Sequence, residues 1–556
     1  MGTWRQLWTS NQNLRRHWGP LLGFFTIVWL LSDVLAILLF QGIGQVLMNQ
    51  LGIHFISFAL VTVVLKRPLV SLCMLFLLAG YLAIAYWTFV LLANGTRQIL
   101  SNQWRGWRHC LDGRKHHQLG FFAVWLLASL PVCGFGFHFD LMDRIKLPVA
   151  AMTTLLAAHP ALFLGLVLVY IGLLALAIWQ FATATVRPFK ETLRLLAAAG
   201  SEVVLLLGIG FGFVLVVQMG VDAFLTTAAL PIAGIQFGLV LAIRWAAGLF
   251  ANELFFSLLQ PTAPVSSQPA PAKRHTWVIG LVCLVCFLAG SSVYFVQLHQ
   301  NRPLTIAHRG VNGVDGVQNT LPALKNTVRK KPDFVEIDLH ETKDQRAVVL
   351  HDDDLRKLAD LDYRPEDLTL RQLEQITVHE QGRHAKLVSF ANYLKTAQQH
   401  QQKLLVELKI TPQTSAQFTR RFMRKYGRQL LQHGGQIHSE SELAVVQVKR
   451  EQAKLPVGLI GSFDGFGMPQ TPADFLSQAY LTLNPLLMWQ ANRQHKQILA
   501  WTVDTPVAMD RVLFLGPAGI VTDRLDVLHQ QIELFDGQDY AHQLAMEMRV
   551  LMGIVS

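Results

Sequence analysis

Seven apolar runs of membrane length, all before residue 298, constrain the fold of this sequence more than any other feature. They lie near residues 20–48, 68–94, 119–137, 161–184, 202–225, 229–252 and 276–297. As a helix, each run is long enough to cross a hydrocarbon layer of about 30 Å. The chain is also 52% hydrophobic and only 15% charged, which is rare among soluble proteins. We therefore predict a multi-span all-α membrane domain in the phospholipid bilayer of the cell membrane.

The positive charge of the chain predicts how these spans are oriented. The net charge is +11, and basic residues cluster between apolar runs, at 5–16, 97–115, 187–194 and 273–274. Short loops rich in Lys and Arg stay in the cytoplasm. With seven spans these clusters fall on one side of the membrane, and only the Lys66-Arg67 pair falls on the other. We expect a cytoplasmic N-terminus, an extracellular C-terminal domain and no nucleic-acid partner.

Composition divides the chain into a membrane part and a more polar part. We predict a membrane domain of about six transmembrane helices at 1–259, a linker at 260–275, a final transmembrane helix at 276–297, an α/β domain at 303–535 and a tail helix at 536–556. The linker is rich in Pro, Ala and Ser and cannot form a packed core. All five cysteines precede residue 300, which excludes a disulfide scaffold or a thiolate metal site in the C-terminal domain.

Short β-rich runs alternate with amphipathic segments after residue 303. The strand-like runs are LTIAH, FVEIDLH, AVVLHD, KLLVELKI, PVGLIGSF, AYLTLNP, ILAWTVD and GIVTDR. Strands that alternate with helices imply a parallel sheet. Eight such strands in about 230 residues fit an α/β TIM (β/α)8 barrel. A doubly wound open sheet is the alternative architecture.

Nearly every predicted strand ends in polar or ionisable residues, and in a (β/α)8 barrel the active site forms at those ends. Glu336 and Asp338 are two apart in FVEIDLH and therefore share one face, where their carboxylates repel unless a cation joins them. Ca²⁺ and Mg²⁺ prefer such oxygen ligands. The other strand ends hold His308-Arg309, His351-Asp352, Glu407, Lys409, Ser462-Phe463-Asp464, Asn484, Trp501, Asp504 and Thr522-Asp523-Arg524. These residues suit cleavage of a phosphodiester. The carboxylates can bind a metal, the cations can bind an oxyanion, and the two histidines can transfer protons.

Residues 303–526 resemble the glycerophosphodiester phosphodiesterase family. The motifs that carry the resemblance are IAHRG at 306–310, QNT at 318–320, EID at 336–338, HDDDL at 351–355, VELK at 406–409, SFD at 462–464, WTVD at 501–504 and IVTDR at 520–524. The N-terminal part is similar in architecture to the multi-span domain that precedes this barrel in some bacterial members.

The resemblance implies a role for each group of strand-end residues. It assigns metal ligation to Glu336, Asp338 and Glu407, acid–base catalysis to His308 and His351, phosphate binding to Arg309 and Lys409, and the substrate pocket to Trp501. The implied cofactor is a divalent metal, Ca²⁺ or Mg²⁺. In the implied reaction a glycerol hydroxyl of the substrate attacks phosphorus, the alcohol leaves, and water opens the cyclic phosphate.

One position departs from the family pattern. The family usually has Glu-Asn-Thr where this chain has Gln318-Asn319-Thr320, and Gln cannot supply negative charge to a metal. Asp315, three residues earlier, is a candidate to compensate. The expectation is lower metal affinity unless a second carboxylate takes over.

These features support one main hypothesis and two alternatives. The main one is a membrane-anchored, metal-dependent phosphodiesterase that hydrolyses extracellular glycerophosphodiesters: lipid headgroups, lysophospholipids or glycerol-phosphate polymers such as teichoic acid. The first alternative is a catalytically degenerate barrel that binds glycerophosphate groups as a receptor or scaffold. The second makes the spans a transporter, because Asp33 and Arg244 lie within apolar runs.

Overall fold

The computed structural model describes residues 2–50, 68–111, 188–199, 302–461, 468–483 and 485–536, with single residues and short stretches between 122 and 288. The chain separates into two compact units, one made mainly of the N-terminal residues and the other mainly of residues 297–546. The predicted linker and the predicted tail helix lie outside the described residues. The predicted domain boundaries therefore remain proposals.

The N-terminal unit is helical wherever it is described at length. Helix α1 spans Gly2–Trp29, a π-helical segment spans Leu30–Ala36, and α2 spans Ile37–Gln50. Helix α3 spans Pro68–Leu100, and the short α4 spans Trp107–Cys110. Among the described helices, only α3 is long and apolar enough to cross a membrane, with a mean hydropathy of 2.2.

Two of the seven predicted spans can be compared with the structure. The run at 68–94 lies within α3, and the run at 20–48 lies within α1, the π-helical segment and α2. The other five runs fall mainly outside the described residues, so the multi-span domain stays a prediction. The same is true of the transport alternative, since neither Asp33 nor Arg244 has a described side chain.

Aromatic side chains form the core of the N-terminal unit. Phe25 and Phe89 each pack against Phe256, with ring centroids 6.0 and 5.6 Å apart. Phe24 lies directly over Gly95 of α3, where a Cβ atom would come within 2.0 Å of the ring. A residue without a side chain at position 95 therefore lets the two helices approach closely.

The C-terminal unit is a closed barrel of eight parallel strands. They are β1 Leu304–Ala307, β2 Phe334–Glu341, β7 Leu404–Leu408, β8 Gln436–Ser439, β9 Val457–Gly461, β10 Phe475–Ala479, β11 Gln497–Trp501 and β12 Gly519–Thr522. Each pairs with the next in parallel, and β1 pairs with both β2 and β12, which closes the sheet. The predicted (β/α)8 barrel is confirmed, and the open-sheet alternative is wrong.

Four further strands form an insertion between β2 and β7. Strand β3, Ala347–Val349, pairs antiparallel with β2, and β6, Val388–Ser389, pairs antiparallel with β3. Strands β4, Thr377–Glu380, and β5, Arg383–Lys386, form a separate hairpin. The run AVVLHD was predicted as a barrel strand and is wrong in that role, because it pairs with the part of β2 that extends beyond the closed barrel.

Two more barrel strands differ from the prediction. QIHS, at 436–439, is strand β8 and was missed, because four residues with three polar side chains give a weak alternation signal. The run AYLTLNP was placed too late: β10 ends at Ala479, and Tyr480–Thr482 form a 3₁₀ turn.

Nine helices are described in the C-terminal unit. They are α5 Leu321–Thr327, α6 Arg356–Ala359, α7 Leu370–Leu373, α8 Phe390–Gln399, α9 Phe418–Gln432, α10 Glu442–Glu451, α11 Pro485–Arg493, α12 Pro506–Leu515 and α13 Leu525–Asp536. Side chains cap some of their first turns: the Ser441 hydroxyl accepts from the Ala444 amide, and the Thr505 hydroxyl accepts from the Ala508 amide.

The strands separate two kinds of core. Val335, Ile337 and Leu339 of β2 pack outward in the large cluster that joins strands to helices. Phe334, on the opposite face of β2, packs inside the barrel with Ile306, Leu405, Phe475, Leu499 and Val521. Since side chains alternate along a strand, Glu336 and Asp338 share the inner face with Phe334. The barrel is therefore apolar toward one end and carboxylate-lined toward the other.

Candidate active site

Strand register lines up three ionisable residues at the carboxylate-lined end of the barrel. Asp338 on β2 is the register partner of Glu407 on β7, and Glu407 is the partner of His438 on β8. Neighbouring strands lie about 4.8 Å apart, and paired residues point to the same face. The structure therefore brings predicted carboxylates of β2 and β7 together at this end, and His438 lies beside them.

Lys409 bridges two of the predicted metal-ligating carboxylates. Its Nζ lies 2.8 Å from Glu407 Oε1 and 3.2 Å from Asp338 Oδ1. Burial alone would raise the pKa of Asp338, but the charges of Lys409, His351 and Arg309 hold it well below its usual range. Burial alone would lower the pKa of Lys409, and the carboxylates of Glu407 and Asp338 raise it instead. Lys409 and Asp338 are therefore both charged at neutral pH.

Arg309 makes two kinds of contact. Its backbone reaches the carboxylate cluster, and its side chain reaches the loop that holds Gln318. Its backbone lies in the left-handed region, with φ 51°. In this conformation the amide donates to Glu336 Oε2 at 2.9 Å, and Nη1 donates to Gln318 Oε1 at 2.7 Å. The guanidinium Nε is buried and has no hydrogen-bond partner among the described atoms. It lies 3.9 Å from Asp338 Oδ2, which is too far for a hydrogen bond, so this N–H can still donate to an oxyanion.

Gln318 has its own carboxylate partner. Its backbone amide donates to Glu380 Oε2 at 2.9 Å, and its side-chain Nε2 donates to Glu380 Oε1 at 2.5 Å. Glu380 is the last residue of β4, so the hairpin inserted between β2 and β7 supplies a negative charge here. The candidate compensating residue Asp315 is used differently, since its Oδ1 accepts from the amide of Asn312 at 3.0 Å.

Each predicted catalytic histidine is held by a neighbouring aspartate. His308 Nδ1 lies 2.8 Å from Asp523 Oδ1, and His351 Nδ1 lies 2.8 Å from Asp352 Oδ1. Burial alone would lower the pKa of His308, but the Asp523 carboxylate more than offsets it, and the pKa lies above its ordinary value. Because Nδ1 is engaged in both residues, Nε2 is the nitrogen left to exchange a proton with a substrate.

Electrostatic coupling places His351 near the other site residues. The His351 charge contributes to lowering the pKa of both Asp338 and Asp523. Trp501 packs against the inner apolar cluster at the end of β11, and its indole Nε1 is buried with no hydrogen-bond partner among the residues that the structure describes. Of the remaining predicted strand-end groups, Ser462-Phe463-Asp464 and Asn484 lie outside the described residues.

The residues present fit a divalent cation. Glu336, Glu407 and His438 each offer a ligand atom, and these atoms all lie within 4.8 Å of one another. Ligands of one cation, bound at about 2.0–2.6 Å, are separated by up to about 4–5 Å. Asp338 points to the same face of the sheet. Its two carboxylate oxygens are engaged, one by Lys409 Nζ and the other by Asn319 Nδ2. Sequence reasoning missed His438 because it missed β8.

A (β/α)8 barrel with carboxylates, two aspartate-held histidines, an arginine and a lysine at its mouth defines a phosphodiester hydrolase. Residues 308–527 match the Glycerophosphoryl diester phosphodiesterase family, and residues 7–183 match the Membrane domain of glycerophosphoryl diester phosphodiesterase. The barrel therefore belongs to the glycerophosphoryl diester phosphodiesterase family, and the N-terminal part carries its membrane domain.

Known proteins are similar to the barrel over nearly their whole length. The Bacillus subtilis protein YhdW is 27% identical over 238 residues, which cover 40% of this chain and 95% of that protein. A glycerophosphodiester phosphodiesterase of Caldanaerobacter subterraneus is 23% identical over 235 residues, 41% of this chain and 96% of that one. Among solved structures, a glycerophosphodiester phosphodiesterase from Parabacteroides distasonis is 22% identical with a TM-score of 0.38, covering 43% of this chain and 99% of that one.

Proposed function

We propose that this protein is a membrane-anchored, divalent-metal-dependent phosphodiesterase that releases glycerol phosphate from extracellular glycerophosphodiesters. The single observation that carries the proposal is the contact of Lys409 with both Asp338 and Glu407, beside the Arg309 guanidinium. This arrangement puts carboxylates for a cation next to fixed positive charge for a phosphate.

Phosphate binding falls to Arg309 and Lys409. Arg309 lies in the wall of the site, its Nε has no hydrogen-bond partner among the described atoms, and its Nη1 is fixed by Gln318. Lys409 gives a second cation at the end of β7, which is separated from β1 by β2. Together they neutralise the negative charge of a phosphodiester and hold it against the carboxylates that bind the metal.

Proton transfer falls to His308 and His351. The raised pKa of His308 favours its protonated form, so it donates a proton to the leaving alcohol. His351 accepts the proton of the attacking hydroxyl through Nε2, while Asp352 keeps Nδ1 engaged. The glycerol hydroxyl then forms the new bond to phosphorus as the bond to the leaving alcohol breaks. In the second step water opens the cyclic phosphate with the two histidines in reversed roles.

The metal would be held by Glu336 and Glu407, with the carboxylate of Asp338 beside them on the inner face. When bound, a divalent cation supplies Lewis-acid polarisation of a phosphoryl oxygen. Asp338 is charged and already fixed by Asn319 Nδ2 at 2.9 Å, which orients its carboxylate on the inner face. Ca²⁺ and Mg²⁺ are ions that carboxylate ligands favour.

A substrate panel on the full-length protein tests this function. Glycerophosphocholine, a lysophospholipid and lipoteichoic acid are each incubated with the detergent-solubilised protein and Mg²⁺, Ca²⁺ or Mn²⁺, and released glycerol phosphate is measured. We expect turnover of at least one diester, reduced at least about 100-fold in His308→Ala and in His351→Ala. The exposed His379→Gln variant is the control and keeps full activity. Tight binding of the diesters without release of product would favour the receptor alternative.

The extracellular location is tested separately. A cysteine placed at exposed Leu443 is expected to react with a membrane-impermeant maleimide added to intact cells. Labelling only after lysis would place the barrel in the cytoplasm. That result would contradict the extracellular location but not the proposed phosphodiesterase activity.

A further inference from the structure

We propose that His438 is a direct nitrogen ligand of the divalent cation, bound together with Glu336 and Glu407. The inference rests on the proposed metal-dependent function and goes beyond it, because it names a ligand that carboxylate patterns do not supply. It also predicts which ions the site selects.

Strand register places His438 in the site. His438 lies on β8, and its register partner is Glu407 on β7, whose own partner on β2 is Asp338. The three strands are consecutive in the barrel, and partnered residues face the same side. His438 is therefore part of the same inner row as two carboxylates, and Glu336 lies two residues before Asp338 on that face.

The donor atoms are close enough to share one ion. One ligand atom from each of Glu336, Glu407 and His438 lies within 4.8 Å of the others. Bonds of about 2.1 Å to nitrogen and 2.0–2.6 Å to oxygen require only small side-chain adjustments from these separations. One of these approaches, from His438 Nε2 to Glu336 Oε1, is 3.6 Å. That is too long for a hydrogen bond but suitable for two atoms that flank a common cation.

The surroundings of His438 leave its imidazole without another role. The side chain is only 5% exposed, and neither Nδ1 nor Nε2 has a hydrogen-bond partner among the described atoms. Buried ring nitrogens are normally satisfied. By contrast, buried His340 uses Nε2 to contact the carbonyl oxygen of His351 at 3.2 Å. A bound cation satisfies one nitrogen of His438 and at the same time offsets the charge of the two carboxylates.

A nitrogen ligand changes which ion the site prefers. Carboxylates alone suit Ca²⁺, Mg²⁺ and Mn²⁺, whereas a nitrogen ligand favours first-row transition ions, Mn²⁺ included, over Ca²⁺, which takes oxygen ligands. We therefore expect Mn²⁺ to bind more tightly than Ca²⁺. The opposing account makes His438 a protonated counter-ion of Glu336, which requires no metal contact.

Electron spin echo spectroscopy of the full-length protein loaded with Mn²⁺ tests the ligand directly. We expect ¹⁴N modulation from a coordinated imidazole, which disappears in His438→Gln and persists in the exposed control His384→Gln. By calorimetric titration, His438→Gln is expected to weaken Mn²⁺ binding about 10- to 100-fold and Ca²⁺ binding less than about 3-fold. Circular dichroism of each metal-free variant checks that it is folded.

Wild-type measurements keep the test decisive if His438→Gln does not fold. Absence of ¹⁴N modulation in the Mn²⁺-loaded wild type overturns the proposal, as does modulation that survives in a folded His438→Gln. Tighter binding of Ca²⁺ than of Mn²⁺ by the wild type also counts against it. Phosphodiesterase activity without nitrogen coupling would contradict His438 as a metal ligand but support the proposed function. Nitrogen coupling without turnover of any diester would support His438 as a ligand but contradict the proposed function.

Discussion

Gln318 shows at the scale of one residue how the site tolerates the loss of a carboxylate. The side-chain amide donates to Glu380 and accepts from Arg309, so it joins a negative group to a positive one. A glutamate here would keep the bond to Arg309 but present an oxygen to Glu380. The neutral amide is therefore matched to the hairpin that carries Glu380, and its main effect is to position Arg309 rather than to bind a metal.

This pairing predicts the effect of restoring the family residue. Gln318→Glu is expected to lower kcat/KM about 10-fold, because two carboxylates at hydrogen-bond distance repel and displace the loop that fixes Arg309. Gln318→Glu combined with Glu380→Gln reverses the donor and acceptor and is expected to recover activity to within about 3-fold. Steady-state kinetics on a glycerophosphodiester measures both. A single variant as active as the wild type would contradict the pairing.

The contact between Asp523 and His308 predicts how activity depends on pH. Its carboxylate raises the pKa of His308, and the acid form of His308 is lost as pH rises through that pKa. Activity that needs this acid therefore falls on the alkaline side. Asp523→Asn removes the charge, lowers the pKa and is expected to shift the alkaline limb of the kcat/KM profile to lower pH. Asp352→Asn, beside His351, is the comparison variant. An unchanged alkaline limb in Asp523→Asn would remove His308 from the role of acid.

At the scale of elements, the inner face of the barrel depends on a close contact between β9 and β10. Gly458 on β9 lies against Phe475 on β10, and a Cβ atom at position 458 would come within 2.1 Å of the ring. Phe475 belongs to the apolar cluster beneath the carboxylates. A larger residue on β9 would therefore push this ring into the layer that supports the site.

Gly458→Ala is expected to destabilise the barrel by about 1–3 kcal/mol, because the added methyl overpacks the interior. Thermal unfolding of the detergent-solubilised protein, monitored by intrinsic fluorescence, measures the loss. The combination Gly458→Ala with Phe475→Leu makes room for the methyl and is expected to be more stable than the sum of the two single changes. Strict additivity would contradict the contact.

The elements also show what could be predicted from the sequence. Six barrel strands were located because they are apolar or alternate clearly, as in FVEIDLH. Strand β8 was missed because QIHS has only one strongly apolar residue, and AVVLHD was misplaced because strand propensity does not reveal pairing direction. The carboxylates, histidines, Arg309 and Lys409 were found because they follow apolar runs. His438 and Glu380 were not, since their roles depend on register and on a hairpin whose position only tertiary packing determines.

At the scale of the whole molecule, the chain joins a family membrane domain to a barrel that carries charged residues at one end. The apolar inner cluster and the surrounding helices fix eight strand ends, and these ends bring residues from distant parts of the sequence together. His308 and Asp523 are 215 positions apart, yet lie 2.8 Å from each other. Closure of the barrel by β1 and β12 creates this contact, so the proposed catalytic site depends on closure.

The central claim is that metal-dependent cleavage of a glycerophosphodiester occurs at this barrel mouth. The most direct measurement is glycerol phosphate release from glycerophosphocholine, lysophospholipid and lipoteichoic acid by the full-length protein, first with EDTA and then after readdition of Mn²⁺, Mg²⁺ or Ca²⁺. We predict product from at least one substrate with a metal, loss of at least about 100-fold in EDTA and in Glu407→Gln, and recovery of the wild type on readdition. Release that continues undiminished in EDTA, or in folded Glu407→Gln, would contradict the claim.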